Sequence, residues 1–169
     1  MPRVFAALML PHDVCDSLAR EAKGLARFDP LARFASSTNL HLTLAFIGDV
    51  SAQDALRISA AIRPLATFVP RNVTISRLGT LDRQHLLYAG LTPAEALDSV
   101  AAEVRSTIER LGFKYDKKPF KPHITLARNW RRGYPMATLT TRTVRLSGPI
   151  LLESVQDPRT RQIRYRQIV

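Results

Sequence analysis

Two copies of one four-residue pattern contain the side chains best suited to chemistry in this chain. The pattern is His-x-Thr-Leu with an aliphatic second residue, and it occurs at 41–44 and again at 123–126. An unperturbed histidine has a pKa of about 6.5, so it can accept or donate a proton near neutral pH. His41 and His123 are therefore candidates for the base and the acid of a phosphodiester cleavage.

The threonine in each copy adds a hydroxyl beside the imidazole. Side chains alternate between the two faces of a strand, so in each copy the histidine and the threonine share one face while the leucine enters the core. The hydroxyls of Thr43 and Thr125 could then donate to nonbridging phosphate oxygens, each stabilising the transition state by ~2–4 kcal/mol. If the two strands are neighbours, all four polar groups meet in one cleft.

A catalytic zinc ion is a weaker interpretation of the same histidines. Zinc sites need a third protein ligand, and neither tetrapeptide contains Asp, Glu, Cys or a second His. The whole chain has one cysteine, Cys15, and four histidines. We therefore expect no metal and no other cofactor. A lone cysteine also excludes an intrachain disulfide and favours a reducing, cytoplasmic setting.

Strands and a few helices must position the two motifs. In each half of the chain a helix precedes an extended segment that carries the motif, which indicates an internal duplication. Helices are expected from Pro11 and His12 onward, over 52–62 with Ser51 as cap, and after Thr92 as N-cap with Pro93 in the first turn. Strands are expected at 4–10, 40–47, 68–78, 86–91, 123–127, 140–146, 150–155 and 163–169. This pattern predicts one α+β domain, 1–169, two-lobed and pseudo-duplicated, with antiparallel sheets flanking a central cleft and helices packed outside.

The charge of the chain favours a polyanionic partner. The 25 Lys and Arg outnumber the 14 Asp and Glu and give a net charge of +11, which is typical of proteins that bind nucleic acid. The clusters 114–121 and 128–132 could guide a phosphate backbone, although a solvated charged loop is the alternative. The apolar run 4–10 is too short to span a membrane, and no targeting segment is visible. We expect a monomer without a membrane partner.

Longer segments around the motifs resemble a known family. They are Arg3-Val4-Phe5-Ala6-Ala7 with Leu10-Pro11, Asn39-Leu40 before the first motif with Phe46-Ile47-Gly48 after it, and Lys118-Pro119-Phe120-Lys121-Pro122 before the second motif with Ala127-Arg128 after it. With these segments the chain resembles the two-histidine phosphoesterase superfamily, most closely its RNA 2′,3′-cyclic phosphodiesterase branch, also known as the bacterial and archaeal 2′-5′ RNA ligases. The resemblance covers nearly the whole chain.

The resemblance implies a metal-independent hydrolysis of a terminal 2′,3′-cyclic phosphate to a 2′-phosphate. It assigns His123 as the base that activates water and His41 as the acid that protonates the leaving 3′ oxygen, with Thr43 and Thr125 holding the phosphate. It also implies that the terminal base stacks between Phe46 and Arg128. Both of these residues lie five positions after their histidine, so strict alternation would place them on the opposite face. For Phe46 a stacking role requires a twist or a strand end, whereas the long Arg128 side chain can swing back.

Two other functions remain open at this point. The same chemistry with a 5′ hydroxyl in place of water would join RNA ends, for example tRNA halves, through a 2′-5′ linkage. A catalytically silent RNA-binding module would instead bind RNA in a salt-dependent way without cleaving it. The intact second motif argues against the silent module, whereas the choice of physiological RNA is left open.

Overall fold

Nine strands and three α-helices, with four short 3₁₀ helices between them, make up the regular structure of the computed structural model, which describes all 169 residues. In chain order the strands and α-helices are β1 (Arg3–Met9), α1 (His12–Lys23), β2 (Arg33–Phe34), β3 (His41–Asp49), α2 (Ala52–Ile62), β4 (Val73–Leu81), β5 (Leu86–Thr92), α3 (Ala94–Arg110), β6 (His123–Arg128), β7 (Arg142–Val144), β8 (Ser147–Gln156) and β9 (Ile163–Ile168). The sequence missed only the short β2. The expected strand over 68–78 is wrong in its first part, because 63–68 forms a 3₁₀ helix before β4 begins.

All nine strands belong to one antiparallel sheet, in which two halves meet at a narrow junction. The first half contains β3, β1, β8 and β9, and the second contains β6, β5, β4 and β7, with β2 paired to β6. A single residue pair, Leu42 with Ile124, joins β3 to β6. The expected α+β class with antiparallel strands is confirmed, and the two predicted sheets are continuous through this one pair.

The two halves repeat the same connection. β1, α1 and β3 form a strand–helix–strand unit, and β5, α3 and β6 form the second. Each of these two helices also reaches across the junction to the other half. Glu21 on α1 forms an ion pair with Arg142 on β7, and Arg105 on α3 donates from Nε to the carbonyl oxygen of Leu44 on β3, at 3.1 Å. These crossing helices hold the two halves against each other.

Local chemistry accounts for where the helices begin and end. Ser51 caps α2, because its hydroxyl accepts the backbone N–H of Asp54 at 3.0 Å, as expected for a serine in this position. The cap expected from Thr92 is wrong: Pro93 occupies the N-cap position of α3, and no side chain caps that helix. α3 ends before Gly112, whose φ of +87° lies in the left-handed region that favours glycine.

The hydrophobic core lies between the sheet and the helices. A cluster of 35 buried residues includes Leu42 and Leu44 of the first motif and Ile124 and Leu126 of the second, all at most 1% exposed. Burying one such side chain stabilises the fold by ~1.5–3 kcal/mol. The apolar positions of each motif therefore fix the strand, and they leave its polar positions on the other face. None of the three helices is long and apolar enough to cross a lipid bilayer.

Candidate active site

The junction between the two halves brings both motifs together. Leu42 and Ile124 are paired in antiparallel register and point into the core. The residues on either side of this pair point the other way, where all four are half-buried: His41, Thr43, His123 and Thr125. The polar groups of both motifs thus share one face of the sheet, on the side away from the helices.

The register of the junction also decides which groups face each other. In an antiparallel pair, the residue before Leu42 lies across from the residue after Ile124, and the reverse. His41 is therefore opposite Thr125, and Thr43 is opposite His123. Each histidine has its own threonine two residues along the strand and the other threonine across the junction. The four groups form a two-fold arrangement around the Leu42–Ile124 pair.

Each imidazole is oriented by the carbonyl group two residues before it. Nδ1 of His41 lies 2.7 Å from the carbonyl oxygen of Asn39, and Nδ1 of His123 lies 2.6 Å from that of Lys121. A carbonyl oxygen only accepts, so in both rings Nδ1 carries the proton and donates it. In the neutral ring Nε2 then has a free lone pair. At His41 this Nε2 lies 3.0 Å from the Thr43 hydroxyl, which donates to it.

Both histidines are poorer proton acceptors than an exposed histidine. The pKa of His41 is lowered to about 4, chiefly by burial and also by the positive charges of Arg128 and of a protonated His123, against the opposing effect of the bond to Asn39. Burial likewise lowers the pKa of His123, helped by the charges of Lys121 and Arg128. Without a bound ligand, both rings are neutral at pH 7. An anion placed between them would raise both pKa values, because it stabilises the charged imidazolium form.

Aromatic rings surround His41. The rings of Phe5 and Tyr165 each lie 5.0 Å from its imidazole, centre to centre, and that of Tyr165 meets it edge-on. Phe5 also contacts Tyr165 and Phe46. The sequence alone did not place Phe5 or Tyr165 in the site. The alternation of Phe5, Ala7 and Met9 marks one face of β1, but nothing local shows that this face lies beside β3.

His123 has a different environment, with one ring and one cation. Tyr88 lies edge-on to its imidazole at 5.7 Å, and the Lys121 ammonium group is 4.8 Å from the centre of the Tyr88 ring. Tyr88 fits flat on the sheet because Gly79 lies beneath it, and a methyl group at Gly79 would overlap the outer atoms of the ring. The two histidines are thus equivalent by symmetry and unlike in their surroundings.

A β-bulge at the last residue of each motif determines the face on which Phe46 and Arg128 lie. In the pairing of β1 with β3, Ala6 and Ala7 face Ala45 and Thr43, so Leu44 is the extra residue. In the pairing of β5 with β6, Leu126 is skipped in the same way. A bulge shifts the alternation by one. Phe46 and Arg128 therefore return to the face of the histidines, and both are exposed.

The carbonyl groups of the two bulged residues find separate partners. That of Leu44 accepts from Arg105, whose guanidinium group also donates to the carbonyl of Lys118 at 3.2 Å. That of Leu126 accepts from the backbone N–H of Ala35 at 2.9 Å. Because an unpaired buried carbonyl costs ~1–3 kcal/mol, these donors stabilise the bulges. Arg105 also links the bulge in β3 to the loop that leads into His123.

Phe46 and Arg128 lie at opposite ends of the site. The two strands run in opposite directions, so the residues that follow each motif diverge from the junction. The carbonyl group of Phe46 accepts from Asp116, in the loop before His123, whereas Arg128 pairs with Arg33 of β2. The stacking of one base between Phe46 and Arg128 stays a prediction. Each side chain offers a separate stacking surface.

The two basic clusters contribute few cations to the site. In the cluster 114–121, Lys117 pairs with Glu109 and Lys118 with Asp116. Lys114 and Lys121 take part in no ion pair, and Lys121 lies beside Tyr88. In the cluster 128–132, Trp130 is only 3% exposed and belongs to the core, and the Nε of Arg131 donates to Asn129 at 2.9 Å. Arg128 is the member whose charge acts on both histidines. Nowhere do three His, Cys, Asp or Glu side chains lie close enough together to hold a metal ion.

Comparison with known proteins agrees with this architecture. Residues 11–144 match the family model of the 2′-5′ RNA ligase superfamily. The chain belongs to the 2′-5′ RNA ligase superfamily. A superfamily member from Escherichia coli K12, an RNA 2′,3′-cyclic phosphodiesterase, is 34% identical over 131 residues, which are 75% of this chain and 72% of that protein.

Other proteins are also similar to this chain, in sequence or in fold. An RNA 2′,3′-cyclic phosphodiesterase from Geobacillus stearothermophilus is 27% identical over 135 residues, 78% of this chain, and the chain spans only 43% of that relative's length. The crystal structure of E. coli LigT complexed with 3′-AMP superimposes with a TM-score of 0.78 at 26% identity, covering 98% of this chain and 94% of that one. The fold and the family of this chain are thereby established.

Proposed function

We propose that this protein hydrolyses the 2′,3′-cyclic phosphate at the end of RNA, or on a free nucleotide, to a 2′-phosphate without a metal ion. The observation that carries the proposal is the two-fold arrangement of His41 and His123, each with its Nδ1 held by a carbonyl oxygen, while Nε2 of His41 is bonded to the Thr43 hydroxyl and Nε2 of His123 has no protein partner. The curated relatives named as RNA 2′,3′-cyclic phosphodiesterases support the same reaction.

His123 acts as the base in this proposal. Its neutral Nε2 takes a proton from a water molecule, which attacks the phosphorus atom. The lowered pKa of His123 keeps this ring unprotonated in neutral solution, so the base is ready before the substrate binds. The bond from Nδ1 to the carbonyl oxygen of Lys121 becomes stronger as the ring gains charge.

His41 acts as the acid and protonates the leaving 3′ oxygen as the bond from phosphorus to that oxygen breaks. It must therefore carry a proton on Nε2, which the low pKa of the free protein opposes. The bound phosphodiester anion supplies the compensation, because it raises the pKa of the imidazole beside it. One turnover leaves His123 protonated and His41 neutral, and proton exchange with solvent restores the starting state.

The threonines hold the phosphate. Before substrate binds, the Thr43 hydroxyl donates to Nε2 of His41. When that nitrogen is protonated it becomes a donor, so the Thr43 hydroxyl is released and can donate to a phosphate oxygen instead. Thr125 lies across from His41 in the register and can donate from the other half. Two donors from two strands then stabilise the charge that grows on the phosphate.

Cations and aromatic rings bind the rest of the nucleotide. Arg128, on the site face and beside both histidines, attracts the phosphate and offers its guanidinium plane to the terminal base. Phe46 is 52% exposed at the other end of the site, so it offers a second stacking surface for a longer RNA. The net charge of +11 would speed the approach of such a chain.

The reaction is tested with protein treated with a chelator and each of the four nucleoside 2′,3′-cyclic phosphates, followed by phosphorus NMR. We expect a 2′-phosphate as the product, and a loss of kcat of about 10²–10⁴ for His41→Ala and for His123→Ala. His85→Asn is the matched control, since His85 lies outside the site and asparagine tolerates its φ of +52°. No turnover by the metal-free wild type, or a 3′-phosphate product, would refute the proposal.

A further inference from the structure

A depression lies on the same face of the sheet as the two histidines. It extends from the neighbourhood of His41 over β1, β8 and β9, away from β6. It has a volume of about 540 Å³, which is within the usual range of ligand pockets. Three of its apolar residues lie on β1 and β8, on the same face as Phe5: Met9, Ile150 and Leu152. Met9 is also the register partner of His41, so the depression begins directly beside the catalytic pair.

Tyr165 joins this depression to the site. Its ring meets the imidazole of His41 edge-on at 5.0 Å and also lines the depression. A half-buried aromatic ring over an apolar floor is a surface on which a nucleic acid base stacks, with ~1–3 kcal/mol for each base. The side-chain amide of Gln167, on the same strand, is exposed at the wall and can donate to and accept from a base edge.

The rim of the depression is cationic. Arg145 is exposed, lines the depression and takes part in no ion pair. No aspartate or glutamate is among the lining residues. An unpaired guanidinium group beside an apolar, aromatic floor matches a nucleotide, which has a flat base and a phosphodiester anion. It does not match a purely apolar ligand, which would leave the arginine without a partner.

We infer that this depression binds the nucleotide that precedes the cyclic end of an RNA strand, with its base on Tyr165 and its phosphodiester at Arg145. The inference rests on the proposed function. The strand order supports it, because Arg128 on β6 and the depression beyond β1 flank His41 on its two sides. A terminal nucleotide at Arg128 and its neighbour in the depression would then span the site.

The test compares adenosine 2′,3′-cyclic phosphate with a diadenosine that ends in the same cyclic phosphate. We expect wild-type kcat/KM to be about tenfold or more higher for the dinucleotide, and this preference to fall as salt is raised. Arg145→Gln and Gln167→Ala should each reduce the ratio of the two kcat/KM values. Arg159→Gln, in the turn between β8 and β9, is the matched control and should keep the wild-type ratio.

Three results would count against the inference. Equal kcat/KM for the two substrates in the wild type would overturn it while leaving the proposed function intact. A dinucleotide preference that survives both Arg145→Gln and Gln167→Ala would place the second nucleotide elsewhere and would also overturn it. No turnover of either substrate would overturn the proposed function, and this inference with it.

Discussion

Leu42 and Ile124 pair at the junction of the two halves, and this contact sets the geometry of the whole site. Both side chains are fully buried, so neither strand can slip by one residue without turning a histidine into the core. The apolar residues of the motifs thereby hold the polar ones in register. A sheet pairing, rather than a loop, therefore sets the positions of the four polar side chains.

Replacing either motif threonine with valine should slow the reaction without unfolding the protein. Thr43→Val and Thr125→Val each remove a donor to the phosphate, and we expect kcat to fall by about 10²–10³ for each. Serine at the same position keeps the hydroxyl and should restore most of the rate. Steady-state kinetics on one cyclic nucleotide gives the answer, and a valine variant with wild-type kcat would show that its threonine does not contact the phosphate.

The pH dependence of catalysis should change when substrate is bound. The profile of kcat/KM reports the pKa values of the free protein, where those of both histidines are lowered. The profile of kcat reports the complex, where the phosphate anion raises both values. The bell-shaped curve for kcat should therefore lie at higher pH than the curve for kcat/KM. Coincident curves would mean that the phosphate is not adjacent to the imidazoles.

Neutralising Arg128 should move the same curves. Its charge lowers the pKa of both histidines, so Arg128→Gln should shift the kcat/KM profile to higher pH and reduce its maximum by about tenfold, through the loss of stacking and phosphate attraction. Arg132→Gln, an exposed neighbour in the same loop, is the control. If Arg128→Gln changed neither the position nor the height of the curve, Arg128 would have no role at the site.

Stability should depend on pH through His41. Its pKa is about 4 in the folded protein against an ordinary value of 6.5, so between these values the unfolded chain binds a proton that the folded chain does not. This contribution to stability is complete above about pH 6.5 and declines as the pH falls toward 4. From pH 7 to pH 5 we expect wild type to lose about 1–2 kcal/mol more than His41→Gln does. Urea unfolding at both pH values measures the difference, and parallel losses would contradict the low pKa.

Gly79 should matter more for activity than for stability. A methyl group there would meet the outer part of the Tyr88 ring, and that ring can rotate away at small cost in folding, but it would then leave His123 and Lys121. We expect Gly79→Ala to lower kcat/KM several-fold and the free energy of unfolding by about 1 kcal/mol. Gly24→Ala has open space around it and a helical backbone, so it should be neutral or slightly stabilising. Wild-type kinetics in Gly79→Ala would show that the position of the Tyr88 ring does not affect catalysis.

Much of this site follows from the sequence alone because the relevant signals are local and repeated. The two His-x-Thr-Leu copies, their alternation and their basic flanks identified His41, Thr43, His123 and Thr125 and the face that each occupies. The Ser51 cap and the 52–62 helix also rest on neighbouring residues, and both match the structure. Features that depend on residues close together in the chain can therefore be predicted from the sequence.

The remaining features depend on contacts between distant strands. Nothing in the sequence near Leu44 or Leu126 marks a bulge, because the extra residue is defined only against β1 or β5. Alternation therefore gave the wrong face for Phe46. The resemblance named Phe46 and Arg128 as a pair, and the two bulges put both side chains on the face of the histidines. Phe5, Tyr165 and Tyr88 entered the site in the same way, by packing that only the assembled sheet defines.

The two-fold arrangement around Leu42 and Ile124 has a consequence for the direction of the reaction. With His123 as the base and His41 as the acid, as proposed, a rotation about that axis exchanges the two groups, and the reverse reaction would use the same two histidines in exchanged roles. The reverse reaction, which forms a bond to an RNA hydroxyl group, would need no other catalytic residues. Whether such a site opens a cyclic phosphate with water or forms a new bond with an alcohol would then depend on which molecule lies beside His123. That space is lined by Tyr88 and Lys121, whereas aromatic rings surround His41.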